Sequence, residues 1–118
     1  VKPDDHLFSR IADRLKALSD PSRLKILHAL EDHELRVGEI HERVGGSQAN
    51  VSKHLARMRQ AGLVESRREG TSVYYHVADP AAFAICRTVC DSLEHQLESE
   101  RTALREGRWP AEVKESSR

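Results

Sequence analysis

The sequence predicts a mainly α-helical fold with one small β-hairpin, in the order α-α-α-α-β-β-α. Three features carry that expectation. Apolar residues recur at helical spacing in four segments before Gly62, the period switches to two before Val77, and helical spacing returns from Pro80. At 118 residues the chain is long enough for one hydrophobic core and short for two. The expected division is a single domain over residues 1–104 and a polar, disordered tail over 105–118.

In HLFSRIADRLKALS, the residues Leu7, Phe8, Ile11, Leu15 and Leu18 share one side of a first amphipathic helix. Asp20 then caps a second helix whose first turn accepts Pro21, because the N–H that proline lacks would have no partner there. Leu24, Leu27 and Leu30, widened by Ile26, form its buried stripe. The third helix is short, with Val37, Ile40 and Val44 on one face before Gly45-Gly46, a pair able to take positive φ. Ser47 caps a fourth helix in which Val51, Leu55 and Met58 point inward, and Gly62 ends it. Two helices joined by a tight glycine turn make a helix-turn-helix.

Beyond it, Val73, Tyr75 and Val77 alternate with Ser72, Tyr74 and His76, and Glu69-Gly70 marks the reversal of a two-stranded ribbon. In the last helix Phe83, Cys86, Cys90, Leu93 and Leu97 are spaced 3, 4, 3, 4, with Ile85 and Val89 beside them.

Net charge is zero, yet its distribution is uneven: bases exceed acids by three over residues 36–70, and acids exceed bases on both sides. On the fourth helix Ala49, Ser52, Lys53, Ala56, Arg57 and Gln60 fall opposite Val51, with Asn50 at the flank. A solvated helix face ordinarily carries Glu/Lys pairs. This one holds no acid between Ser47 and Gly62. Small side chains let the backbone approach a surface, Gln48 and Asn50 suit base edges, and Lys53 and Arg57 suit phosphates. The expected DNA contacts are therefore Ser47, Gln48, Ala49, Asn50, Ser52, Lys53, His54 and Arg57, joined by Arg67 and Arg68 at the ribbon tip. The plain alternatives are a helix that merely lacks acids and a solvated hairpin end. No Gly-rich phosphate loop, nucleophile with a base at usable spacing or HExxH motif suggests an enzyme. No apolar run approaches the roughly 18 residues that cross a bilayer, so the expectation is a cytoplasmic protein in a reducing compartment, with no membrane partner.

The segments LKALSDPSRLKILHAL (15–30) and ELRVGEIHERVGGSQANVSKHLARMRQAGLVESRREGTSVYYHV (34–77), followed by the helix from Pro80, resemble the ArsR/SmtB family of winged helix-turn-helix transcriptional repressors. The likeness covers about residues 5–100. It implies a homodimer paired through the first and last helices, here by Leu7, Phe8, Ile11, Phe83, Cys86, Cys90, Leu93 and Leu97. It also implies double-stranded operator DNA as partner, an imperfect palindrome read in major grooves about 34 Å apart. Release would follow binding of an inducer, often a metal or metalloid ion. Two of the family's ion sites are broken here. Arg36 and Gly38 stand where a Cys-x-Cys-type motif would be, and Asp79 is followed by Ala81, with His95 and Glu98 too far along for the zinc-type pattern.

Cys86 and Cys90, one turn apart, leave three readings open. They are small hydrophobes on an apolar stripe, ligands for a thiophilic ion of the arsenite, cadmium, copper(I) or mercury type, or a redox or reactive-sulfur pair. His6, beside Asp4 and Asp5, is a further candidate ligand, whereas His28, His33, His41 and His76 show no ligand spacing to one another. His95 is expected in a surface cluster with Asp91 and Glu98. A winged helix serving as a protein-interaction module is the remaining alternative. The lysine-bearing face of the fourth helix weighs against it, because protein interfaces deplete lysine.

Overall fold

Helix α1 (Asp5–Leu18) starts where the Asp4 carboxylate accepts the Leu7 N–H at 2.8 Å. The computed structural model describes residues 2 and 4–108, so most of the expected tail lies outside the described residues. Asp20 Oδ1 accepts the N–H groups of Ser22 at 2.8 Å and Arg23 at 3.1 Å, opening α2 (Pro21–Ala29) with proline at its first position. Arg23 then reaches back. Its Nε donates to the Ala17 carbonyl at 2.6 Å, an acceptor at the end of α1, and its Nη2 to that of Lys16 at 3.2 Å, which also accepts the Ser19 N–H.

After the short strand β1 (Leu35–Arg36) comes α3 (Val37–Val44), at whose start Glu39 accepts the Arg36 N–H at 2.9 Å. Gly45 has φ 83° and ψ −167°, a region open essentially to glycine alone, and Gly46 follows at φ 75°. Helix α4 (Gln48–Gln60) begins with Ser47 Oγ accepting the Asn50 N–H at 3.1 Å. Strands β2 (Val64–Glu69) and β3 (Ser72–Val77) pair antiparallel from Val64↔Val77 to Glu69↔Ser72. Their two-residue turn has Gly70 at φ 62°, while no described non-glycine residue has positive φ, the pattern of a type II′ hairpin. Asp79 accepts the Ala81 N–H at 3.0 Å and opens α5 (Ala81–Arg105).

The sheet differs from expectation. It has three strands in the order β1-β3-β2, because Leu35 and Arg36 pair with Tyr75 and Tyr74. A two-residue strand has no alternation to read, yet it covers part of the β3 edge that the hairpin alone would leave open.

Packing divides the chain after Phe83, where the sequence predicts one domain to residue 104. In the unit up to Phe83 the largest fully buried side chains are Ile26, Leu27, Ile40, Leu55, Met58, Leu63 and Val64, drawn from α2, α3, α4 and the start of β2. Leu24, expected on the buried stripe of α2, is exposed. It lies about 200° around the helix from Ile26, which the core takes instead. Of the expected α1 stripe only Leu18 is buried, with Ala17 beside it, and Leu7, Phe8, Ile11 and Leu15 stay exposed. Arg14 of α1 pairs with Asp79, passing 3.3 Å from where a side chain on Gly62 would begin. In the unit from Ala84, Val89, Leu93 and Leu97 are exposed along α5.

Removing the Leu55 side chain beyond Cβ (Leu55→Ala) is expected to cost about 2–5 kcal/mol in urea unfolding followed by circular dichroism. Gly45→Ala is expected to cost about 1–3 kcal/mol by the same measurement, from backbone strain alone. Parental stability in Gly45→Ala would show that the turn relaxes.

Candidate nucleic-acid interface

Burial of Val51, Leu55 and Met58 decides which side of α4 faces outward. Gln48, Ala49, Asn50, Ser52, Lys53, Ala56 and Gln60 are all exposed, and Arg57 is half-buried. No carboxylate lies on this helix, and its last turn adds Arg57 and Arg59. Ser47 is exposed too, with its hydroxyl engaged in the cap. The turn ahead of it is pinned by His41, whose Nε2 donates to the Gly46 carbonyl at 2.7 Å. Arg59 and Tyr75, with Ser52, Ala56 and Gln60, line a shallow recess beside the helix. Neither residue is expected from the sequence. Arg59 lies only about 80° from Val51 on a helical wheel, and Tyr75 becomes a neighbour through the fold alone.

His54 is placed apart from the outward face. Its half-buried ring has Nδ1 3.3 Å from Arg23 Nη1 and Nε2 4.0 Å from Asp20 Oδ1, joining α4 to the start of α2. The Arg23 N–H, then the Ser22 N–H and the charges of His54 and Arg23, hold the Asp20 carboxyl below the usual carboxylate range.

At the hairpin tip Arg67 and Arg68 point to opposite faces of β2, as strand alternation requires. Arg67 Nε lies 2.9 and 3.0 Å from the two oxygens of Glu34, and Nη2 lies 2.8 Å from Glu34 Oε1. Its Nη1 donates to Glu69 at 2.7 Å, and its guanidinium carbon sits 4.8 Å from the Tyr74 ring centre. The hydrogen bond from Arg67 lowers the Glu34 carboxyl, and those to Glu34 and Glu69 raise the Arg67 guanidinium further. His76 lies between Glu34 and Glu65, 3.4 Å from each. Arg68 is exposed, and among the described residues it takes part in no ion pair.

On α5, Cys86 is half-buried and Cys90 exposed, both as free thiols. Burial pushes the Cys86 thiol up, away from the thiolate that binds soft ions. Cys90 Sγ lies 4.0 Å from Glu94 Oε1. Among the described residues no three His, Cys, Asp or Glu side chains converge as a metal site. Two thiols alone do not close a site of the zinc or cadmium kind, which takes three or four donors, so one chain by itself does not fit such an ion. Asp79 is engaged with Arg14 and the α5 cap. The expected ion pairs of His95 do not form among the described residues.

Residues 20–66 match the family model described as bacterial regulatory protein, arsR family. The chain is 39% identical over 75 residues to the HTH-type transcriptional regulator KmtR of Mycobacterium tuberculosis, covering 64% of this chain and 57% of that one. It is 36% identical over 92 residues to the nodulation protein NolR of Rhizobium meliloti, covering 77% and 75%. Among solved structures, a homodimeric winged helix-turn-helix DNA-binding domain from Mycobacterium bovis superposes with a TM-score of 0.70 at 35% identity, over 80% of this chain and 94% of that one. The match to KmtR thus spans little more than half of that relative's length.

The lowered carboxyls of Asp20 and Glu34 set an acid limit. A carboxylate whose folded value is depressed stabilises the fold above its unfolded value, and that contribution is lost as pH falls through the folded one. Melting temperature is therefore expected to hold from neutral pH to about pH 4 and to fall below it. Asp20→Asn keeps a capping oxygen without the charge, so thermal melts from pH 5 to pH 3 should show a shallower decline than wild type. Equal slopes would remove Asp20 from the account.

Proposed function

This chain belongs to the arsR family of bacterial regulatory proteins, and from that premise we propose that it is a homodimeric transcriptional repressor that reads operator DNA with α4. The observation that carries this reading is the outward face of α4: exposed, free of acid, small at Ala49 and Ala56, and set with Gln48, Asn50, Lys53 and Arg57. Gln48 and Asn50 have the paired donor and acceptor that an adenine edge matches, and Lys53 and Arg57 neutralise flanking phosphates. Ser47, Ala49 and Ser52 line the close approach, Arg68 extends it along the backbone from the hairpin, and His54 acts through the α2 junction. The family is one of regulators, not enzymes.

The dimer is supported by apolar side chains with no cover in one chain. Phe8 is 57% exposed on α1 and Leu97 61% exposed on α5, with Leu7, Ile11 and Leu93 close behind. Half-buried Phe83 and Cys86, and exposed Cys90, extend the α5 set. A two-fold axis would carry two α4 helices into successive major grooves, which makes the operator an imperfect palindrome. Leu93→Glu is expected to shift sedimentation velocity from dimer to monomer. It should also weaken operator binding, while circular dichroism keeps the helical signal.

Release is assigned to the thiols of α5. Cys86 and Cys90 sit one turn apart, so a bond to either one changes a helix face that the second copy covers. Inducers of the cadmium or arsenite kind, which take three or more donors, would need them from both copies. Peroxide or polysulfide would need only the sulfur atoms.

Fluorescence anisotropy with a labelled duplex should show log K falling with log salt, and Lys53→Ala should flatten that slope by about 0.9. Weak binding with no salt dependence would end the DNA reading. In the same assay, arsenite, cadmium, zinc, copper(I), peroxide and polysulfide are added in turn to wild type and to Cys86→Ser/Cys90→Ser. Loss of the response in the double variant is expected, and an unchanged response would end the thiol reading.

A further inference from the structure

The hairpin carries two adjacent arginines in different electrostatic states. Arg67 is flanked by two carboxylates, Glu34 from the segment before β1 and Glu69 from its own strand, and its plane lies on Tyr74. One positive charge between two negative ones leaves that triad at −1, before the neighbouring Glu65 is added. His76 lies 3.4 Å from both Glu34 and Glu65 on the same face of the sheet, and Arg36, also on that face, is itself paired with Glu39. To a phosphate this face is net repulsive. Arg68 stands on the other face, the one shared with Tyr75 and the recess beside α4.

We infer that Glu34 is a positioning residue that withholds Arg67 from DNA, so that the hairpin engages the phosphate backbone through Arg68 and the affinity of the repressor is held down. The inference rests on the DNA-binding reading above. Its physical content is competition. A guanidinium bonded to one carboxylate through Nε and Nη2, and to another through Nη1, must give up charge-assisted hydrogen bonds before it can meet a phosphate. Glu34 is not on the hairpin. It enters from the loop that follows α2, so the restraint is made by tertiary contact across 33 residues of sequence.

The test is anisotropy of a fluorescein-labelled duplex of arbitrary sequence, titrated across a range of salt, for wild type and five variants. Glu34→Gln is expected to bind about three- to tenfold more tightly at low salt, with a slope steeper by about 0.9, as for one added phosphate contact. Arg67→Ala in the wild-type background should stay within about twofold of wild type, and Arg68→Ala should flatten the slope by about 0.9. Glu34→Gln/Arg67→Ala should return to the Arg67→Ala level, which a general loosening of the hairpin would not produce. Lys53→Ala reports α4 independently. If it flattens the slope while Glu34→Gln runs parallel to wild type, the Glu34 inference is overturned and the DNA reading stands. If Arg67→Ala in the wild-type background loses as much as Lys53→Ala, Arg67 is not withheld and the inference is again overturned. If Lys53→Ala changes nothing, the DNA reading itself has failed. Circular dichroism melts of each variant confirm folding.

Discussion

The seating of α4 is the constraint on which the rest depends. Val51, Leu55 and Met58 are buried against side chains from α2, α3 and the start of β2, and Leu63 N–H bonds the Met58 carbonyl at 2.9 Å as the chain leaves the helix. With three positions at i, i+4 and i+7 held inward, the helix cannot rotate. Every other side chain on it is assigned a direction by that burial. The glycine pair sets the entry angle, since Gly45 occupies backbone space denied to other residues, and His41 closes the turn on Gly46. A face of small, amide and basic side chains is useful only if it is presented rigidly, and hydrophobic burial supplies that rigidity.

Electrostatics then divides the first unit into two kinds of surface. The outer side of α4 has positive charge without any acid, whereas the outer face of the sheet collects Glu34, Glu65 and Glu69 around Arg67 and His76. The zero net charge of the chain is the sum of these unlike regions, and a partner that samples one region responds to its local sign. The carboxylates also do structural work. Asp4, Asp20, Glu39 and Asp79 each accept a backbone N–H at a helix start, where a negative charge is favoured by the helix dipole.

The apolar side chains of α1 and α5 follow a different rule. They repeat at helical spacing as core residues do, yet Leu7, Phe8, Ile11, Leu93 and Leu97 remain exposed in the single chain. A solved structure similar to this chain, from Mycobacterium bovis, is homodimeric. The two cysteines lie on the α5 helix among these residues, Cys86 half-buried and Cys90 exposed.

Much of this was legible in the sequence because it depends on local spacing. The five helices, their Asp20 and Ser47 caps, the glycine turn and the acid-free α4 face all follow from residues within one or two turns of each other. Other features were decided only by the tertiary structure. Strand β1 exists because Leu35 and Arg36 find β3 about 40 residues later, His54 turns to Asp20 across 34, and Glu34 takes Arg67 across 33. Leu24 is displaced from the core by Ile26, although both are apolar. Periodicity tells which residues share a face. Which face meets which partner, and which charge is already satisfied, is settled when distant segments compete for the same space and the same hydrogen bonds.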